Sequence, residues 1–200
     1  MEVVGAPATG KTQLCFSALT AASKIPESVA IFVDVGCSFD GQRIMAIAAA
    51  RGLGEQELER IQVLHARDVP SLLDALDSIA ATYAVCPRLV VLDSVGMLVA
   101  GLSGARGVNM AAHLTRALRT LVVDHACAIL MTSPTGLSNR GPLWSAWALA
   151  ANTRVLFERP IDVFIPPYFD VEMIYQFLSH IPAARCSKCS SMSQCLTENA

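Results

Sequence analysis

The segment Gly5-Ala6-Pro7-Ala8-Thr9-Gly10-Lys11-Thr12 fits the pattern G-x-x-x-x-G-K-[ST]. Its residue types suit a phosphorylated ligand. Glycines let backbone N–H groups turn inward around a phosphate, and the positive end of a following helix adds to them. Lys11 would reach β- and γ-phosphate oxygens, and the Thr12 hydroxyl would ligate Mg²⁺. The pattern has this meaning only between a strand and a helix, and otherwise it is a glycine turn. Here the run EVV precedes it and a helical pattern follows. A nucleoside triphosphate, ATP in the first instance, and Mg²⁺ are the expected ligands.

Two further carboxylates bear on that chemistry. Asp93 ends the apolar run LVVLD, where it can hold the water shell of Mg²⁺ beside Thr12. The bland alternative, an acid that ends a strand for solubility, is weakened because the phosphate loop already calls for such a partner. Asp34 lies in FVDVGCSF, at the end of the second apolar run, where an ATPase needs a group to orient the attacking water. The expected binding set is therefore Gly5, Ala6, Pro7, Ala8, Thr9, Gly10, Lys11, Thr12 and Asp93. Thr12 and Asp93 would serve the metal, and Asp34 is the sole candidate for catalysis.

The elements that must position these residues are legible as alternating patterns. Strands are expected at 1–4, 29–34, 61–64, 89–93, 128–132 and 154–157, and helices at 11–23, 40–51, 70–83 and 109–125. In the third helix Leu72, Leu73, Leu76 and Ile79 fall on one face. Such alternation predicts an α/β domain with a mostly parallel twisted sheet flanked by helices. Two glycine-rich interruptions, 101–107 and 134–142, follow strands or their extensions at the end of the sheet where ligands bind.

With 200 residues, 53% hydrophobic and 16% charged, the chain suffices for one well-packed domain. A net charge of −2 and pI near 6.1 exclude a uniformly basic coat, so any nucleic-acid contact must be local. No apolar run approaches the roughly 20 residues needed to span a bilayer, and no secretory signal opens the chain. Of the seven cysteines, Cys15, Cys37, Cys86 and Cys127 sit in apolar or helical contexts typical of buried, reduced thiols, which implies the cytosol or nucleus.

The phosphate loop together with VDVGCSFDGQRI, RIQVLHARD, LVVLDSVGML and ANTRVLF resembles the RecA-like ATPase core of the eukaryotic recombinase paralogues. RIQVLHARDVPSLLDALD is most similar to the D paralogue family. The resemblance covers residues 1–158. It implies ATP binding, assembly with other recombinase paralogue subunits, association with single-stranded or branched DNA, a nuclear location and a role in homologous-recombination repair of double-strand breaks. It also implies that the glycine-rich interruptions are DNA-facing loops carrying Arg106 and Arg140, with Trp144 able to stack on a base or, as the more ordinary reading, to pack in the core. Family members carry a helical domain and linker ahead of the core, and here Met1 falls where the first core strand begins.

Two departures from the family point to weak or absent hydrolysis. Active recombinases have a water-positioning glutamate where this chain has Gly36, and Asp34 matches a different aspartate that those enzymes also possess. They also have a polar Asn-Gln-like or Asn-His-like sensor where this chain reads MTSP, with Ser133 shorter and Pro134 lacking a donor.

Residues 1–160 are thus expected to form the ATP-binding core, 161–185 a divergent extension and 186–200 a disordered Cys- and Ser-containing tail. His180, Cys186, Cys189 and Cys195 offer zinc-ligand types, but no second paired knuckle accompanies them, which favours a reduced thiol tail. His65, His113 and His125 are expected to be structural, with no carboxylate constellation. Two other readings share the phosphate loop. One is a small-molecule kinase, which needs a lid with several arginines. The other is an interaction module independent of nucleotide, against which Lys11, Thr12 and Asp93 all argue.

Overall fold

The computed structural model describes residues 1–82, 87–136 and 141–158. Six strands alternate with seven helices among them. They are β1 Glu2–Gly5, α1 Lys11–Ala22, β2 Val29–Asp34, α2 Gly41–Ala50, α3 Glu55–Glu59, β3 Ile61–His65 and α4 Val69–Thr82. Then follow β4 Pro87–Asp93, α5 Val95–Ala100, α6 Gly104–Asp124, β5 Ala128–Pro134, α7 Gly141–Ala148 and β6 Arg154–Phe157. The strands form one sheet in the order β3-β2-β4-β5-β1-β6. Every pairing is parallel, as the α/β alternation predicts.

The continuous apolar runs follow from burial of the sheet on both faces, because successive strand side chains point to opposite sides. Ala30, Phe32, Leu89 and Val91 join Leu14, Leu19 and Ile44 in one core. Ile31, Val33, Val90 and Leu92 join Leu72, Leu76, Leu114 and Leu118 in the other. Helix α1 is buried from Leu14 through Ala22. Two arginines brace its C-terminal half, Arg51 Nη1 donating to Ser17 O at 2.7 Å and Arg60 Nη1 to the C-cap Ser23 O at 2.9 Å. At the C-cap such a cation satisfies an orphan acceptor and complements the helix dipole.

Four helices depart from the expected pattern. The short helices α3, α5 and α7 lie outside the ranges expected to be helical, and α6 begins at Gly104, so the interruption expected at 101–107 is largely helical. Arg106 accordingly lies exposed in the first turn of α6 rather than in a loop. The reason lies in Gly107, which reads as a loop glycine but packs closely: a Cβ there would come within 3.1 Å of Leu102. Its buried position continues the Ala111, Leu114, Leu118 and Leu121 stripe by a further turn.

Cysteine burial also differs from expectation at one position. Cys15 and Cys127 are buried free thiols, whereas Cys37 is exposed, on a turn that carries it out of the apolar strand preceding it. Cys86, Arg140 and residues 159–200, with His180, Cys186, Cys189 and Cys195, lie outside the described residues, as does the side chain of Trp144.

Candidate functional site

Strand β1 delivers the chain to Gly5, and α1 starts at Lys11, so the intervening loop wraps the helix N-terminus at the carboxyl edge of the sheet. Two glycines are required by geometry. A Cβ on Gly5 would lie 2.6 Å from Thr9 Oγ1 and 2.8 Å from Phe157 O. Gly10, the N-cap of α1, has φ 94°, a left-handed conformation that side chains strain to adopt. Thr9 closes the turn by donating from Oγ1 to Ala6 O at 2.9 Å.

Lys11 folds over the loop and donates from Nζ to Gly5 O and Ala6 O, each at 2.8 Å. Burial lowers its pKa below the usual lysine value, and the nearby Asp93 carboxylate partly opposes that shift. A phosphate oxygen entering the loop would exchange neutral carbonyl acceptors for a charged one, which makes a stronger hydrogen bond.

The C-terminal ends of β2 and β4 stand side by side, Asp34 in register with Asp93. Asp93 is 3% exposed and accepts from three hydroxyls, on α1, on β5 and on the loop between β2 and α2. Thr12 Oγ1 donates to Oδ2 at 2.7 Å, Ser38 Oγ to the same oxygen at 3.1 Å, and Thr132 Oγ1 to Oδ1. The peptide after Asp93 is cis. The expected pairing of Thr12 with Asp93 is thus in place across the sheet edge. Its donors are all oxygen, one hydroxyl and one carboxylate, which suits Mg²⁺ retaining several waters. Thr12 would hold such an ion directly and Asp93 through water, and the ion would neutralise phosphate charge there.

Asp34 is engaged in shaping the backbone. It accepts from Ser38 N at 2.9 Å and Phe39 N at 3.3 Å, with Ser38 Oγ a further 3.4 Å from Oδ1. His65 Nδ1 lies 3.8 Å from its Oδ2, so the expectation that no carboxylate faces His65 is corrected: parallel register places His65 opposite Asp34. His113 is exposed on α6, and His125 is buried at its C-cap. Gly36 is exposed, and a Cβ there would meet nothing within 4 Å.

A cleft of about 390 Å³ opens beside the loop, lined among others by Lys11, Thr12, Gln13, Ser38, Asp40 and Arg43. Arg43 Nε donates to Gln13 Oε1 across it. Sequence reasoning did not single out Gln13, Ser38, Arg43 or Thr132. The Asp40 N-cap of α2, which accepts from Arg43 N at 3.1 Å, was the available signal for the rim of the cleft.

Ser133, at the sensor position, is fully buried and turned away from the loop. Its Oγ donates to Glu2 Oε1 at 2.6 Å, an atom that also accepts from Trp147 Nε1 at 3.2 Å. Arg154 Nε completes the cluster by donating to Glu2 Oε2 at 2.6 Å. Glu2 and Arg154 are register partners on β1 and β6, opposite charges whose pairing only the strand register reveals. Pro134 stands beside Gly5 at the end of β5.

The parallel order of strands, the glycine loop after β1 and the carboxylate at the end of β4 define a phosphate-loop α/β protein with a RecA-like core. The Rad51 family profile matches residues 1–141, and the chain belongs to that family. It is 32% identical over 176 residues to the DNA repair protein RAD51 homolog 4 of Bos taurus, an alignment covering 78% of this chain and 54% of that protein. Its identity to the Mus musculus protein of the same name is 29% over 177 residues, with the same coverage. The chain spans about half the length of these curated relatives.

Proposed function

We propose that this chain binds ATP with Mg²⁺ and retains it with little hydrolysis, as a nucleotide-stabilised subunit of a homologous-recombination DNA repair assembly in the nucleus. The observation that carries the binding half is the Thr12–Asp93 contact of 2.7 Å beneath the glycine loop. Family membership adds to it, since Rad51 and RecA proteins generally bind ATP with Mg²⁺. Triphosphate lies along the loop and Lys11 in this reading, with the nucleoside in the cleft toward Gln13 and Arg43.

The non-hydrolytic half rests on Gly36 and Asp34. Gly36 has no group to hold water, and the Asp34 oxygens are taken up by the backbone of Ser38 and Phe39. The chain is read as akin to the D paralogue family, a reading supported by its similarity to the two RAD51 homolog 4 proteins. Their DNA repair role suggests other paralogue subunits and single-stranded or branched DNA as partners. Arg106, exposed at the start of α6, and Arg140 are the proposed DNA contacts, through phosphates. Among the described residues no helix is long and apolar enough to cross a membrane.

Single-turnover hydrolysis of labelled ATP, with and without single-stranded DNA, tests the reading. Bound ATP should persist uncleaved under both conditions. The open space at Gly36 makes Gly36→Glu a direct complement, expected to raise turnover by at least about 10-fold if water positioning is the missing element. Rapid, DNA-stimulated turnover by the wild type would refute the scaffold role.

A further inference from the structure

We infer that Ser38 is a positioning residue for magnesium, holding the Asp93 carboxylate in the orientation that the ion requires. The inference rests on the nucleotide reading above and assigns a role to a side chain which that reading leaves unused. Ser38 lines the cleft, and its Oγ lies 3.1 Å from Asp93 Oδ2 and 3.4 Å from Asp34 Oδ1. A hydroxyl has one proton to donate. The shorter distance gives that proton to Asp93, to the same oxygen that receives the Thr12 hydroxyl.

The Thr12 hydroxyl can ligate the ion through an oxygen lone pair while its proton stays on Asp93, so that bond ties the carboxylate to the metal side. Ser38 and Thr132 fix the carboxylate from the protein side, one on each oxygen. Ser38 is itself rigidly held. Its backbone N–H donates to Asp34 at 2.9 Å, and the next residue, Phe39, packs its ring 5.5 Å from Phe32 and 6.1 Å from Phe16. Asp34 therefore shapes a turn, and the turn presents a hydroxyl to the metal-holding carboxylate. Partners one step removed from an ion typically govern its affinity by 10–100-fold, and Ser38, which acts through the water-linked Asp93, is expected at the low end of that range.

The test is binding of a fluorescent ATP analogue to the full chain, titrated with Mg²⁺ and repeated in EDTA, for wild type, Ser38→Ala and Ser38→Thr. Ser38→Ala should raise the Mg²⁺ concentration at half-effect by on the order of 10-fold while leaving binding in EDTA unchanged. Ser38→Thr, which keeps the hydroxyl, should titrate like wild type. An unchanged Mg²⁺ midpoint in Ser38→Ala, an equal loss with and without Mg²⁺, or failure of Ser38→Thr to restore the midpoint overturns the role. Absence of any Mg²⁺-dependent binding in the wild type overturns the nucleotide reading, and this inference with it.

Discussion

Asp93 and Glu2 are both buried carboxylates anchored at the same sheet, and each accepts from three side chains. Their donors differ in charge. Asp93 receives three neutral hydroxyls, from Thr12, Ser38 and Thr132, and among the described residues no arginine or lysine pairs with it within 4 Å. Glu2 receives one hydroxyl and one indole N–H, but its charge is met by Arg154 at 2.6 Å. With Lys11 acting on it only from beyond contact distance, the buried Asp93 charge is costly unless a cation joins it. The Asp93 corner faces the cleft and suits an incoming ion, whereas the Glu2 corner is complete within the chain and ties β1, β5, β6 and α7 together. Burial alone would rank the two alike.

Substitutions can separate the two corners, and the largest effect belongs to the closed one. Glu2→Ala removes the carboxylate that accepts from Arg154, Ser133 and Trp147, so unfolding by denaturant should show a loss of about 3 kcal/mol. That figure is at the low end of the range because the Arg154 side chain is 37% exposed and can turn to water. Equal stability of wild type and mutant would mean that the cluster carries no load.

At the open corner, Lys11→Ala should weaken ATP on the order of 100-fold in equilibrium titration, with thermal unfolding little changed. Asp93→Asn sharpens the contrast further. It removes charge and keeps one acceptor oxygen, while a hydroxyl on the other side can rotate to accept from the new amide, so stability should stay within about 1 kcal/mol while Mg²⁺ dependence weakens on the order of 10-fold. A stability loss at Asp93 as large as that at Glu2 would erase the distinction.

The smallest expected effect concerns thiols. Burial pushes the Cys15 thiol pKa well up, and Cys15 and Cys127 are both enclosed, whereas Cys37 is exposed beside the cleft. Iodoacetamide should label Cys37 in the native protein and leave Cys15 and Cys127 unlabelled until denaturant is added, as peptide mass mapping would show. ATP should slow labelling of Cys37, since its neighbour Ser38 lines the cleft.

Local patterns made most of this fold legible. Runs such as LVVLD and VAIFVD announce strands buried on both faces, and the glycine loop fixes where β1 ends and α1 begins. Boundaries at 29–34 and 154–157 agree with β2 and β6, because β-branched runs there stop at polar residues. The helical pattern of α6 is legible only from 109 because Gly104 and Gly107 suggest a loop, whereas Gly107 serves close packing against Leu102. Ser38, Thr132 and Glu2 escaped notice for a different reason. Their partners lie on other strands or across the sheet edge, and nothing local marks a serine or threonine that faces a carboxylate from a distant segment.

Calorimetric titration of ATP into the wild-type chain, with Mg²⁺ and then with EDTA, addresses the central claim most directly. The phosphate loop, Lys11, Thr12 and Asp93 predict one site whose affinity depends on Mg²⁺ and falls on the order of 100-fold in Lys11→Ala. No binding, or binding indifferent to both Mg²⁺ and Lys11, would contradict it.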